Sequence, residues 1–236
     1  MAEEAAGRSS REDPVLARSG GPAGNARLTA WTGLVLLVLI VAELVTLLDV
    51  RGLLSWHVVI GVLLVPFALL KTATTGWRIA RYYTGSRPYR TAGPPPLLLR
   101  ILGPLVVATT LGVLASGIWL IAVGDRSGRS ALFTALGQRV DLLTVHQALF
   151  IAFAVVTGLH LLARIVPALG LTVGRLRSRF DRPEEVPGVG SRGVTMAATL
   201  LAAVVAAALL LPLASSWRDD RQHHVGPPPG GFSSRP

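Results

Sequence analysis

Five long apolar stretches separated by polar segments dominate the 236-residue chain. Each stretch is close to the ~20 residues that cross a hydrocarbon layer of about 30 Å as an α-helix. The stretches cover residues 30–48, 53–73, 97–123, 142–166 and 194–213. This pattern predicts an all-α polytopic membrane protein, in which a four-helix transmembrane bundle is followed by a fifth, C-terminal transmembrane helix.

The polar segments define the expected domain boundaries. We expect a disordered cytoplasmic tail, the four-helix transmembrane bundle, a cytoplasmic loop, the fifth helix and a disordered external tail. Their predicted ranges are 1–29, 30–170, 171–193, 194–213 and 214–236. Neither tail carries enough apolar surface to fold by itself. The link over residues 49–52 is so short that the first two helices should be antiparallel neighbours.

The net charge of +10 has an uneven distribution along the chain. Sixteen of the 23 Lys and Arg residues lie in the N-terminal tail and in segments 71–100 and 164–192, and seven lie on the other side. The positive-inside rule then places the N-terminus in the cytoplasm and the C-terminus outside the cell membrane. The basic charge therefore indicates orientation in a lipid bilayer, and we do not expect nucleic-acid binding.

Two further features of composition bear on the chemistry. The chain has no cysteine, which excludes disulfides, thiolate haem ligation and cysteine-held iron–sulfur clusters. Segment 74–96 combines basic residues with Trp77, Tyr82, Tyr83 and Tyr89. It is either an anchor at the headgroup level or a docking surface for a partner or an acidic cofactor edge.

Three histidines lie inside predicted spans, where ionisable residues commonly mark a function. His57 and His146 each lie four residues into spans that run in the same direction, so the two imidazoles should lie at one depth. Such a pair supplies both axial ligands of a haem iron across a bundle interior. Gly61, one turn after His57, would leave room for a porphyrin face. The sequence therefore predicts His57 and His146 as iron ligands.

The third histidine, His160, follows His146 by fourteen residues, which is four helical turns less about 40°. Both side chains then project from nearly one face of the helix, about 21 Å apart along its axis. His160 is a further candidate for cofactor binding, near the opposite leaflet.

The motifs "WHVVIG" at residues 56–61 and "HQALFIAFAVVTGLH" at residues 146–160 resemble membrane-embedded b-type cytochromes. This family includes the bacterial cytochrome b subunits of formate dehydrogenase and hydrogenase, and the resemblance covers about residues 30–166. It implies haem b as the cofactor. It also implies electron transfer between a quinone or quinol and an extracytoplasmic redox partner.

One position departs from the pattern of a family that stacks two haems across the membrane. Lys71 stands fourteen residues after His57, where the partner of His160 would be expected. Its ammonium either reaches the headgroups or, after losing its proton, ligates iron. We favour the headgroups and expect one haem rather than two. His160 is then an orphan ligand, a hydrogen-bonding partner or a remnant of a second site.

Glu43 lies in the first span at about the depth of His57 and His146. Three roles are open to its carboxylate. It accepts the Nδ1 proton of a ligand histidine, relays protons, or reaches the outer headgroups.

The sequence contains no nucleophile–base arrangement, phosphate loop or HExxH motif. We therefore expect an electron-transfer subunit rather than a catalyst acting alone. The alternative is a non-redox membrane anchor or assembly scaffold with relic histidines. A small transporter ranks third, because paired intramembrane charges and a broken-helix repeat are lacking.

The distribution of Lys and Arg predicts the topology directly. Reporter fusions after Arg90 and after Arg179 should be cytoplasmic, whereas fusions near Arg129 and at the C-terminus should be external. Paired phosphatase and fluorescent-protein reporters measure this. A cytoplasmic C-terminus would contradict the predicted orientation.

Overall fold

The computed structural model describes residues 13–17, 19–91, 97–135, 137–175, 186–215 and 217, with the side chains of 97–99 and 163–175 left out. Six α-helices lie in this part of the chain, together with one short pair of strands. The helices are α1 (Gly21–Thr46), α2 (Leu54–Tyr83), α3 (Arg87–Thr91), α4 (Leu97–Gly128), α5 (Leu142–Arg175) and α6 (Val189–Leu210). The strands are β1 (Ala131–Ala135) and β2 (Gln138–Asp141), and 3-10 turns follow α1 and α6.

Five of these helices, all except α3, contain segments long and apolar enough to cross a membrane. Large apolar side chains on their outer faces are exposed, including Leu34, Val38, Ile151 and Leu201. Such faces are stable when lipid covers them. The predicted all-α polytopic fold is confirmed.

The helices pack as two antiparallel pairs and a fifth helix. Helix α1 packs on α2, α4 packs on α5, and α6 packs along α2. A buried cluster joins Val58 and Val62 of α2, Ile121 of α4, Ala207 of α6 and Ala214. Small alanine side chains let helix backbones approach closely in a membrane, where association depends on packing. The C-terminal helix thus contributes to the core around the start of α2.

Several helices are longer than the apolar stretches that predicted them. Helix α1 begins at Gly21 with a proline in its first turn, so the expected disordered tail 1–29 is helical over its last nine residues. Helices α5 and α6 extend into the predicted loop 171–193, since α5 reaches Arg175 and α6 begins at Val189. Lipid thickness limits the apolar run, whereas backbone hydrogen bonding continues the helix into the interface. Residues 1–12, 176–185 and 218–236 lie outside the described residues.

The connection between α4 and α5 contains a β-hairpin, which the sequence pattern did not indicate. Strands β1 and β2 pair antiparallel, with Phe133 opposite Val140 and Ala135 opposite Gln138. Gly137 in the turn has a φ of 75°, a conformation that favours glycine. All five residues of β1 are exposed, whereas the last two residues of β2 are partly buried.

Helix α5 begins at a capped end close to His146. Asp141 Oδ1 accepts hydrogen bonds from the backbone N–H and the hydroxyl of Thr144, each at 2.7 Å. The hydrogen bond from the Thr144 hydroxyl has the largest effect and the one from its backbone N–H the next largest. Together they lower the pKa of Asp141 below its ordinary value of 3.8. A carboxylate with a lowered pKa stabilises the folded protein above pH 3.8, and this contribution disappears as the pH falls through the lowered pKa.

We expect Asp141→Ala to destabilise the protein by about 1 kcal/mol at neutral pH, because the first turn of α5 loses its cap. Thermal unfolding of the purified protein in detergent at neutral and acidic pH measures the loss. Asp141→Asn is the matched control, because asparagine also caps helices and does not titrate. An Ala variant as stable as the Asn variant at neutral pH would show that this cap contributes nothing.

Candidate functional site: a histidine pair between two parallel helices

The structure brings His57 of α2 and His146 of α5 together. Their ring centroids lie 6.4 Å apart, and their ring planes are nearly perpendicular at 87°. Each histidine lies in the first turns of its helix, so the two helices begin at the same end of the bundle. The sequence-predicted ligand pair is therefore adjacent in space.

Helix α1 holds the imidazole of His57 through its Nδ1 atom. This atom lies 2.9 Å from Glu43 Oε1 and 3.1 Å from Thr46 Oγ1. The Thr46 hydroxyl donates its own hydrogen to the backbone carbonyl of Glu43 at 2.6 Å, so toward the ring it acts as an acceptor. With two acceptors at Nδ1, a neutral ring carries its proton there, and Nε2 keeps its lone pair.

Helix α4 holds His146 in the same manner. Ser116 Oγ lies 2.9 Å from His146 Nδ1 and donates its hydrogen to the Val113 carbonyl at 3.0 Å. The Ser116 side chain is buried. The hydroxyl thus accepts the Nδ1 proton, which again leaves Nε2 as the basic nitrogen. In this arrangement both histidines would have the tautomer that a metal-ligating imidazole adopts when a second group holds its other nitrogen.

Two glycines shape the site from opposite sides. A Cβ atom at Gly117 would lie 3.2 Å from His146 Cε1, so glycine lets that ring lie directly against α4. A Cβ atom at Gly61 would lie 3.5 Å from Glu43 Oε1, so the open side of Gly61 faces the Glu43 carboxylate. The role of Gly61 beside a porphyrin stays a prediction. In the structure Gly61 lies next to Glu43, the residue that contacts His57.

The Glu43 carboxylate is mostly buried between α1 and α2, with 17% of its side chain exposed. One oxygen contacts His57. The other, Oε2, is buried and has no hydrogen-bond partner among the described residues. Of the three roles open to Glu43, the geometry matches that of acceptor for the Nδ1 proton.

The structure places Lys71 and His160 away from this pair. Lys71 Nζ donates to the Thr29 carbonyl of α1 at 3.0 Å and lies over Gly33, where a Cβ atom would come within 2.6 Å of it. His160 lies four turns farther along α5 than His146, and its Nδ1 atom is buried. The choice between one haem and two stays a prediction.

Sequence reasoning missed Thr46, Ser116 and Gly117. The hydroxyls lie within predicted spans near their ends, as His57 and His146 do. Their partnership depends on how α1 and α4 are rotated, which a single sequence does not specify. Ser116 and Gly117 stand together in the small-residue run "ASG", typical of a close helix contact.

The two imidazoles offer too few ligands for a metal ion held by protein side chains alone. Among the described residues, no three His, Cys, Asp or Glu side chains form a metal-binding group. A structural zinc ion takes four such ligands. Two imidazoles would therefore hold haem, whose porphyrin supplies the remaining nitrogen ligands, better than a bare metal ion.

Comparison of the chain with protein-family models, curated proteins and solved structures finds no match. The function must therefore be inferred from the site.

The hydrogen-bonding geometry predicts separate effects of two substitutions on the histidine rings. Ser116→Ala should shift the ¹⁵N resonances of His146 strongly, because its Nδ1 loses the Ser116 acceptor. Thr46→Val should shift those of His57 less, because Glu43 remains. Solid-state NMR of ¹⁵N-histidine-labelled protein in lipid measures both.

Thr109→Ala is the control for these spectra, because Thr109 lies on α4 and bonds only backbone carbonyls one turn earlier among the described residues. It should change neither histidine. An Nε2-protonated His146 in the wild type would contradict the assigned hydrogen bond.

Proposed function

We propose that this protein is a b-type cytochrome-like electron-transfer protein of the membrane, with haem b held between His57 and His146. The observation that carries the proposal is the pair of imidazoles whose ring centroids lie 6.4 Å apart, each held at Nδ1 by a group on a different helix. Haem supplies one-electron chemistry at its iron when bound.

The residues of the chain would orient the two ligands and hold the proton of each ring at Nδ1. Thr46 and Glu43 hold one imidazole, and Ser116 holds the other, so both Nε2 lone pairs are available without a proton being lost. Because the hydroxyls are anchored to backbone carbonyls, the rings need little reorganisation to bind a metal.

The expected redox partners follow from the resemblance and from the distribution of Lys and Arg residues. The pair lies at the end of the bundle that carries the β1–β2 hairpin and the connection between α1 and α2. These segments belong to the side with fewer Lys and Arg residues, which the positive-inside rule places outside. We infer electron exchange between a quinone or quinol and an extracytoplasmic redox partner.

A non-redox anchor or scaffold is the second candidate, and one observation favours it. The hydrogen bonds to Thr46, Glu43 and Ser116 also satisfy the Nδ1 atoms of two structural histidines. In that case the pair would tie α1 to α2 and α4 to α5 without any cofactor. Haem spectroscopy distinguishes the two functions.

We expect the purified full chain, produced with haem, to show a low-spin bis-histidine spectrum that His57→Ala or His146→Ala abolishes. His160→Ala is the matched control and should leave the spectrum largely intact, because His160 is far from the pair. Pyridine haemochrome analysis against protein concentration should give about one haem per chain, since Lys71 replaces a second-site histidine.

Yield and circular dichroism must accompany each variant, because an emptied cavity can unfold the bundle independently of ligation. A well-folded His57→Ala protein that keeps the bis-histidine spectrum would refute the pairing. Wild-type protein that shows no spectrum after reconstitution with haem would leave the scaffold function in its place.

A further inference from the structure

A cavity of about 390 Å³ opens at the end of the bundle opposite the histidine pair. The start of α1, the end of α2, helix α3 and the start of α6 surround it. The lining residues that matter here are Asn25, Trp77, Arg81, Tyr89 and Arg192. Among the described residues, two arginines and no acidic residue line this cavity.

Arg192 is the unusual member of this group, because it is a charged side chain with only 5% of its surface exposed. Its Nη1 and Nη2 atoms donate to the carbonyls of Pro187 and Val186 at 2.8 and 2.9 Å. Its Nε atom is buried and has no hydrogen-bond partner among the described residues. Neutral carbonyls do not cancel a buried charge, and the described residues place no carboxylate on Arg192, so an anion bound there would stabilise it.

Within the described part of the chain, the neighbouring Arg78, unlike Arg192, forms an ion pair with a carboxylate. Its two terminal nitrogens bond the Asp13 carboxylate at 2.9 and 3.1 Å. Arg81, one turn later on α2, lines the cavity and lies 5.5 Å from the Trp77 ring. Arg81 and Arg192 therefore give the cavity a positive charge that Asp13 does not offset.

The surroundings resemble a site for a lipid headgroup. The cavity lies where the membrane spans of α1 and α6 begin and that of α2 ends, so it is at the level of the membrane interface. Trp77 and Tyr89 lie at its wall, and Trp31 lies 5.9 Å beneath the Arg192 guanidinium. Aromatic residues concentrate at this level, and basic pockets between the ends of transmembrane helices bind phosphate-bearing headgroups.

We propose that this cavity binds the phosphate group of an acidic phospholipid headgroup through Arg81 and Arg192. The planar guanidinium provides several N–H donors in one plane, the geometry that phosphate oxygens accept best. The start of α6 at Val189 adds the partial positive charge of a helix N-terminus beside Arg192. This site does not depend on the histidine pair or on haem.

Thermal-shift titration of the full chain in neutral detergent tests the proposal with three probes at constant ionic strength. These are short-chain phosphatidylglycerol, phosphatidylcholine of equal chain length, and inorganic phosphate. Phosphatidylglycerol should stabilise the wild type saturably and phosphatidylcholine should not. Arg192→Gln and Arg81→Gln should each weaken phosphatidylglycerol binding about fivefold or more.

Arg90→Gln is the matched control, because Arg90 is exposed on α3 near the cavity and undergoes the same charge change without lining it. It should leave the affinity unchanged. If Arg192→Gln unfolds, Arg81→Gln decides, since the Arg81 side chain is exposed and its loss spares the core.

Equal responses to phosphatidylglycerol and phosphatidylcholine would overturn the proposal, as would an Arg90→Gln variant as weak as the other two. Inorganic phosphate that stabilises to the same extent and competes with phosphatidylglycerol would support the anion site and identify soluble phosphate as its ligand.

Discussion

Hydrocarbon provides no hydrogen bonds, so a polar side chain inside a membrane span requires a partner on a neighbouring helix. His57 meets this requirement on α1, and His146 meets it on α4. Each imidazole therefore contacts the antiparallel neighbour of its own helix, which is α1 for α2 and α4 for α5. The same contacts that make the rings tolerable in lipid also hold the Nδ1 side of each ring against a neighbouring helix.

Small residues make these contacts possible. Gly61 admits the Glu43 carboxylate between α1 and α2, and Gly117 admits the His146 ring against α4. Gly33 accommodates the Lys71 ammonium on α1 in the same way. Helix association in lipid depends on close packing and on interhelical hydrogen bonds. Each of these glycines leaves room for a polar side chain between two closely packed helices.

Helix α6 connects the two polar ends of the bundle. Toward its C-terminus, Ala207 packs with Val58 and Val62, directly after His57 in the chain. At its N-terminus, Arg192 lines the basic cavity. A histidine site at one end and an anion site at the other would let an acidic lipid hold α6 in place, and α6 in turn supports the helix that presents His57.

The sequence by itself determined the number of spans, the all-α class and the equal positions of His57 and His146 within parallel helices, because apolar length and helical rise follow from local composition. It also identified Glu43 as a candidate partner of a histidine. Only the tertiary structure decided that Thr46 and Ser116 hold the rings, that Gly61 faces Glu43, and that Arg192 is buried beside a cavity. These features depend on how each helix is rotated about its axis, and in lipid that rotation is set by packing and by polar pairing between helices, which no single segment encodes.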